Sequence, residues 1–330
     1  MKAFVAVLAV ILAGLFFFYE KDRELRFSGP TMGTTYAVTA ISPNWILKKK
    51  LSSEIQARLD AINFCLSTYI PGSELSRFNA QETTAAIPVS RDLFDVCRAG
   101  QSLFNLTGGA WDATVKPLVD MWGFSEKEKR THAPSSREIR DALKRVGFEK
   151  IRLVTPNAIQ KTDPDITLDL NSIGDSFGAE QVAKILSSHG ITRYFVEVGG
   201  EIITAGKRLD GKSWRVGIET AAVLSVTDKA ISTSGDYQNV RVIDGVTYSH
   251  IIDPKTGFPT QTRIRRATVV ADNAMMADGL STALLVMPPE TGIALINSIP
   301  GAQAWIIRET REGRFEHYTS AGFDELLINN

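Results

Sequence analysis

Between Lys150 and Ala271 the chain reads as one short strand after another, and few folds can absorb so many. KIRLV, ITLDL, RYFVEV, EIITAGK, WRVGIE, VRVID, TYSHII and RATVVA are rich in β-branched and aromatic residues and are bounded by turn formers. Helical patterns at 177–188 and 274–287 interrupt them, and a last hairpin, AWIIRETREGRFEHYT, turns at Glu312 and Gly313. Most of these strands are joined by segments too short for a parallel crossover, so antiparallel pairing is expected.

The preceding part is mainly helical. TTYAVTAI at 34–41 is a strand, and Leu51, Ile55, Leu59, Ile62 and Leu66 then recur at helical spacing. SRDLFDVCRAGQSLFNLT is a second amphipathic helix that stops at Gly108 and Gly109, and the charged stretch 124–136 is an exposed loop. Ser135 and Glu138 form a capping box for a helix that runs through Val146 and stops at Gly147. The expectation is an α+β (mixed α/β) body, one catalytic domain over 25–330 with largely antiparallel sheets and flanking helices. No internal repeat is visible, and no G-x-G-x-x-G follows a first strand, so a Rossmann domain is not expected.

Composition narrows the partners. Lys+Arg and Asp+Glu both number 37, the formal charge is zero, and no basic run exceeds Lys48–Lys50, which argues against nucleic acid. Residues 1–24 carry an apolar stretch from Ala3 to Tyr19 behind Lys2, with no lipoprotein cysteine after Gly14. An uncleaved membrane anchor is favoured over a cleaved signal, and charge bias exports the body. Cys65 and Cys97 each sit in an apolar helical pattern; a buried free thiol is favoured over a disulfide between them.

Several stretches depart from what a plain core needs. Met32 lies between Gly29-Pro30 and Gly33 at a turn, which is structural or ligand-facing. Tyr69 leaves a helix beside Pro71-Gly72, where an aromatic caps a core or stacks on a planar ring. Ala110, Trp111 and Asp112 follow two glycines; the backbone there approaches a ligand, or Asp112 caps the next helix. Asp169, Asn171, Ser172 and Asp175 mark a strand-to-helix junction suited to phosphate or to a divalent cation beside it. His250 ends a strand ahead of Asp253-Pro254 and is, taken alone, an ordinary structural histidine. In MMADGLSTAL, Asp278 and Thr282 share a face of an otherwise apolar helix. They are hard oxygen ligands for Mg2+, or else groups satisfied by backbone.

Taken in order, MGTTY, LSTYIPGSELSRFN, WDATVKPLVDMWGF, LDLNSIGDSFGAEQVAKIL, VEVGGEIITAGK, WRVGIE, STSGDYQN, YSHIIDPKTG and ADGLSTAL resemble the ApbE family of FAD:protein FMN transferases over about residues 28–325. The resemblance implies an enzyme that uses Mg2+, breaks the pyrophosphate of FAD, and leaves FMN on a threonine of a target flavoprotein while AMP departs. It further implies FAD contacts at Met32, Tyr69, Ala110, Trp111, Asp112, Asp169, Asp175, His250 and Ile251, and metal contacts at Asp278, Thr282 and the main-chain carbonyl of Ser172. His250 and Asp278 are the implied catalytic residues, with Asp253 as a support for His250. Where this chain reads Gly174, Asp175 and Ser176, family members often have alanine, lysine and glycine, so Asp175 removes a positive charge.

Implied targets carry an exposed D-x-x-[ST]-x-x-T motif, such as subunits of ion-pumping NADH:quinone reductases or related electron-transfer complexes. The implied location is the bacterial inner membrane, with the catalytic body facing the periplasm. The alternatives are a Mg2+-dependent FAD pyrophosphatase giving FMN and AMP, and an exported FAD-binding protein without turnover.

Overall fold

The computed structural model describes residues 22–43, 47–124, 131–218, 222–236 and 240–328. The expected anchor at 1–24 therefore lies almost wholly outside the described residues. Among those residues no helix is long and apolar enough to cross a membrane.

The chain opens with β1 (Arg23–Thr31) and β2 (Thr34–Ser42), followed by α1 (Leu47–Leu66), α2 (Glu74–Asn79), β3 (Ile87–Pro88) and α3 (Arg91–Leu106). Next come α4 (Lys116–Met121), α5 (Ser136–Leu143), β4 (Ile151–Val154), β5 (Ala158–Lys161) and α6 (Asn171–Ser188). The strand-rich part is β6 (Tyr194–Val198), β7 (Glu201–Ala205), β8 (Trp214–Ile218), β9 (Ala222–Val226), β10 (Ala230–Gly235), β11 (Val240–Ile243), β12 (Val246–Ser249) and β13 (Ile264–Ala271). Helices α7 (Ala274–Leu284) and α8 (Pro289–Asn297) precede the final hairpin, β14 (Gln303–Glu309) and β15 (Phe315–Thr319).

One eight-stranded sheet organises the molecule, in the order β1-β2-β6-β7-β10-β13-β14-β15. Every neighbouring pair in it is antiparallel. Period-two alternation divides its residues between two cores. Val196, Ala230, Val269 and Ala271 belong to the core shared with α1, α3, α6 and α7. Ile231 and Val270 belong to a second core closed by the β8–β9 hairpin and Phe323. A third cluster, with Leu118, Trp122, Ile139, Ile243 and Ile252, joins α4 and α5 to the β11–β12 hairpin.

The α+β class and the antiparallel pairing match the expectation, but several elements differ. ITLDL at 166–170 is not a strand. Its extended backbone is satisfied by the side chain of Asn79 and by the carbonyl of Ala113, so no neighbouring strand is needed. The following helix begins at Asn171 rather than 177, which places Ser172 and Asp175 inside it. Helix α5 has the expected capping box but ends at Leu143, and α7 ends at Leu284. Strands β1, β9 and β10 and helix α8 were not anticipated. Cys65 and Cys97 are both buried and free.

Helix α7 is seated by an unusual cap. The carboxylate of Glu180, from α6, accepts hydrogen bonds from the backbone N–H groups of Ala274 (3.1 Å) and Met275 (3.2 Å). Asn273 accepts from Met276 N–H at 2.9 Å through its side chain and from Ala277 N–H at 3.0 Å through its carbonyl. All four donors of the first turn are thereby satisfied, and the negative charge faces the positive end of the helix dipole. This cap fixes α7 along α6. Removing it in Glu180→Ala should lower unfolding free energy by about 1–2 kcal/mol. Glu180→Gln keeps an acceptor oxygen and should recover much of the loss in chemical denaturation.

Candidate active site

Two adjoining cavities open beside α6. The first, of about 480 Å3, is bounded by Ala110, Trp111 and Asp112, by Asp169, Ser172 and Asp175, by His250 and Ile251, and by Asp278 and Thr282. The second, of about 470 Å3, includes Met32, Asn63 and Gly174. Tyr69, Asn171 and Asp175 border both cavities. The residues expected to contact FAD or the metal therefore border these two cavities, from segments scattered along the chain, whereas Asp253 borders neither.

Met32 occupies the β1–β2 corner. Thr31 pairs with Thr34, so Met32 and Gly33 alone make the turn, with φ of 44° and 76°. A left-handed conformation costs a non-glycine residue roughly 1–2 kcal/mol, and the turn itself has no use for methionine. What methionine adds is reach: its Cε lies so near Gly178 of α6 that a Cβ there would come within 2.9 Å. Tyr69 is 66% exposed, so it caps no core and offers a ring at the boundary between the cavities.

The 110–112 turn is rigid. Trp111 donates from Nε1 to Ser172 Oγ at 3.0 Å, tying the turn to α6. Asp112 does not cap a helix, since α4 starts from Val115 without a side-chain cap. Its Oδ1 instead accepts from Thr114 N–H (2.8 Å) and the Thr114 hydroxyl (2.6 Å), and its Oδ2 accepts from Phe148 N–H (3.2 Å). Burial outweighs these bonds and raises its pKa to about 6.

Helix α6 presents Asp169, Ser172 and Asp175 from its N-terminal end. Asp169 Oδ1 accepts from Asn171 N–H at 3.0 Å, and burial raises its pKa. Asp175 lies against the Gly199-Gly200 turn: a Cβ on Gly199 would stand 2.2 Å from Asp175 Oδ2, and φ at Gly199 is +62°. Burial lifts Asp175 to about 6. Glu201, which sequence reasoning overlooked, also borders the first cavity. Its pKa is raised by burial and by the charge of Asp175, against a Ser232 hydrogen bond that lowers it.

Asp278 is only 6% exposed. Burial first, and then the charges of Glu201 and Asp175, push its pKa well up, while hydrogen bonds from Ser176 and Ser232 act the other way. Thr282, one turn on, lies 3.2 Å from Ser234 Oγ, which in turn is 2.7 Å from Ser281 Oγ. These serines were also missed; Ser234 comes from β10 and Ser281 from α7 itself. Among the described residues no three His, Cys, Asp or Glu side chains form a metal cluster. The available donors are instead oxygens of one carboxylate, one hydroxyl and the backbone. A buried acid beside two others fits a hard divalent cation, because such a charge would reverse the effect of its neighbours.

His250 follows β12 with its ring edge-on to Phe124, centroids 6.5 Å apart. Asp253, the expected support for His250, bonds within its own turn. Its Oδ1 accepts from Lys255 N–H (2.9 Å) and its Oδ2 from the Thr256 hydroxyl (3.0 Å).

Asp112 gives a pH test. Its folded pKa of about 6 exceeds the ordinary 3.8, so between those values the folded state holds more proton than the unfolded state, and stability falls as pH rises. Relative to Asp112→Asn, wild type should lose up to ~3 kcal/mol across that window. Denaturant titrations of both proteins at pH 4 to 7 check the sign, and their difference isolates Asp112 from Asp175, which burial lifts to a similar value.

Comparison with known proteins agrees with this geometry. The ApbE family model matches residues 32–306. A protein of Vibrio cholerae named FAD:protein FMN transferase is 39% identical over 330 residues, 96% of each chain. A protein of the same name from Salmonella typhimurium is 33% identical over 92% of this chain and 89% of its own. Among solved structures, the flavin transferase ApbE of Vibrio cholerae superposes with a TM-score of 0.84 at 38% identity, covering 93% of this chain and 100% of that one. The apo form of the Pseudomonas stutzeri flavinyl transferase ApbE gives 0.85 at 34% identity, covering 92% and 97%. With the family model spanning most of its length and relatives this similar over nearly all of it, the chain belongs to the ApbE family of flavin transferases.

Proposed function

We propose that this enzyme transfers FMN from FAD to a threonine hydroxyl of a target protein, with Mg2+ as its metal and AMP as the second product. The observation that carries this reading is the convergence of Asp278, Thr282, Ser172, Asp169, Asp175 and His250 on one cavity, beside a second cavity that shares Tyr69 and Asp175. A dinucleotide has two halves joined by a diphosphate, and two adjoining cavities suit it.

Asp278, Thr282 and the Ser172 carbonyl would hold Mg2+, which when bound supplies positive charge to the pyrophosphate oxygens as charge builds up on them. The protein's own groups do the rest. Tyr69 offers a ring face, and the Trp111–Ser172 bond holds the 110–112 turn against the cavity. His250 takes the proton of the acceptor hydroxyl as its oxygen forms a bond to the phosphorus of the FMN half. The phosphorus–oxygen bond to the AMP half breaks, and AMP leaves with that electron pair. Asp175, acidic where relatives of the family often carry lysine, leaves the junction of the cavities without a fixed cation.

The acceptor is proposed to carry a D-x-x-[ST]-x-x-T segment, as in subunits of ion-pumping NADH:quinone reductases. Anchoring to the inner membrane, with the body in the periplasm, is proposed from residues 1–24 alone. The test incubates the protein with FAD, Mg2+ and an acceptor bearing that segment. Intact-mass spectrometry should show the acceptor gaining one FMN, and Asp278→Ala should reduce the rate at least about a hundredfold. Free FMN without a modified acceptor would replace transfer with hydrolysis, and unchanged FAD would leave only binding.

A further inference from the structure

A buried lysine lies behind the cavity wall. Lys161, at the end of β5, has no exposed surface. Its ammonium donates to the carbonyls of Gln81 (2.9 Å), Pro164 (3.0 Å) and Asn79 (3.2 Å), and lies 5.2 Å from the centroid of the Phe78 ring. A buried cation is tolerated only when its donors are satisfied, and here three carbonyls gather around it. They come from the C-terminal end of α2 and from the loop before Ile166, so Lys161 fastens these segments together.

Asn79 then carries the connection forward. Its side-chain amide donates to the carbonyl of Leu168 and accepts from Leu168 N–H, both at 2.8 Å. One side chain thus takes the place of a neighbouring strand. The next residue, Asp169, donates its N–H to Ala113 O at 2.7 Å, so the segment is also held from the 110–114 side. Asp169 in turn accepts from Asn171 N–H as α6 begins.

The other end of α2 is tied to the opposite wall. Ser73 Oγ donates to Ser67 O at 2.6 Å, and Ser76 Oγ donates to the same carbonyl at 3.2 Å. Ser67 Oγ accepts from Tyr69 N–H (3.1 Å) and Ile70 N–H (3.2 Å). Helix α2 contributes no residue to either cavity, yet it joins the Tyr69 corner to the Asp169 segment.

We propose that Asn79, held in place by Lys161, is a positioning residue for FAD binding: through α2 it sets the separation between the Tyr69 wall and the Asp169–Ser172 wall. The proposal rests on the flavin-transfer reading given above. Asn79 and Lys161 border neither cavity, so their loss weakens FAD binding only through the walls they position.

The experiment measures FAD affinity by flavin fluorescence, with Mg2+ and no acceptor, in wild type, Asn79→Ala, Asn79→Asp and Lys161→Met. Hydrogen exchange of residues 165–172 is followed in the same proteins. Asn79→Asp keeps the acceptor for Leu168 N–H but turns a second oxygen toward the Leu168 carbonyl. Each variant should bind FAD roughly tenfold more weakly, ~1.4 kcal/mol, and residues 165–172 should exchange faster. Ser320→Ala is the stability control, because Ser320 accepts from Ala304 N–H at 2.8 Å and borders neither cavity. FAD affinity unchanged in the variants that fold, or weakened equally by Ser320→Ala, overturns the proposal. Wild type that binds no FAD overturns the flavin-transfer reading instead; Asn79 is then judged by exchange alone, and unchanged protection of 165–172 refutes the clamp.

Discussion

The constraint on which the site depends is the cost of keeping Asp278 out of water. An acid nearly excluded from solvent, with Glu201 and Asp175 close by, ionises only when donors or a cation reach it. The hydroxyls of Ser176 on α6 and Ser232 on β10 lower its pKa only in part, since Ser176 Oγ also donates to Ile173 O at 2.9 Å and Ser232 Oγ also pairs with Ser281 Oγ at 3.1 Å. The acid stands at a place where the backbone cannot drift. Glu180 holds the first turn of α7 against α6, and Gly279 lets α7 approach α3 so closely that a Cβ there would meet Leu103 at 2.2 Å. The site is polar at its centre because its frame is apolar and tight.

The β10 strand shows how sheet and site are made from the same residues. Alternation sends Ile231 into the core behind the sheet and Ser232 and Ser234 toward α7. A strand that would otherwise carry aliphatic residues on both faces gives up one face to hydroxyls. Those hydroxyls link Ser281 and Thr282 into a chain of hydrogen bonds, so the cavity floor is already organised without a bound ligand.

Much of this was legible in the sequence where the physics is local. The capping box at Ser135 and Glu138 follows from a four-residue motif, and the helical spacing of Leu51 to Leu66 and the shared face of Asp278 and Thr282 follow from periodicity. What escaped was set by distant partners. ITLDL has the composition of a strand, but Asn79, 89 positions away, satisfies Leu168 in place of one. Glu201 lies within VEVGGEIITAGK, but nothing local sets it apart, and it acquires its character only from burial beside Asp175 and Asp278. Strand β10, with Ser232, Thr233, Ser234 and Gly235, is too polar to be read as central until α7 is seen to cover it. The bonds that Asp253 accepts from Lys255 N–H and the Thr256 hydroxyl belong to a turn that its neighbourhood to His250 in sequence does not announce.

Strand β1 runs nine residues from Arg23 to the Met32 corner, at the edge of the sheet. At about 3.3 Å per residue, this puts roughly 25 Å between its two ends. Whatever is joined ahead of Arg23 therefore starts a full strand's length from the Met32 corner and the cavity that Met32 borders, so a tether or an affinity tag placed there pulls on the far end of an edge strand rather than on the site.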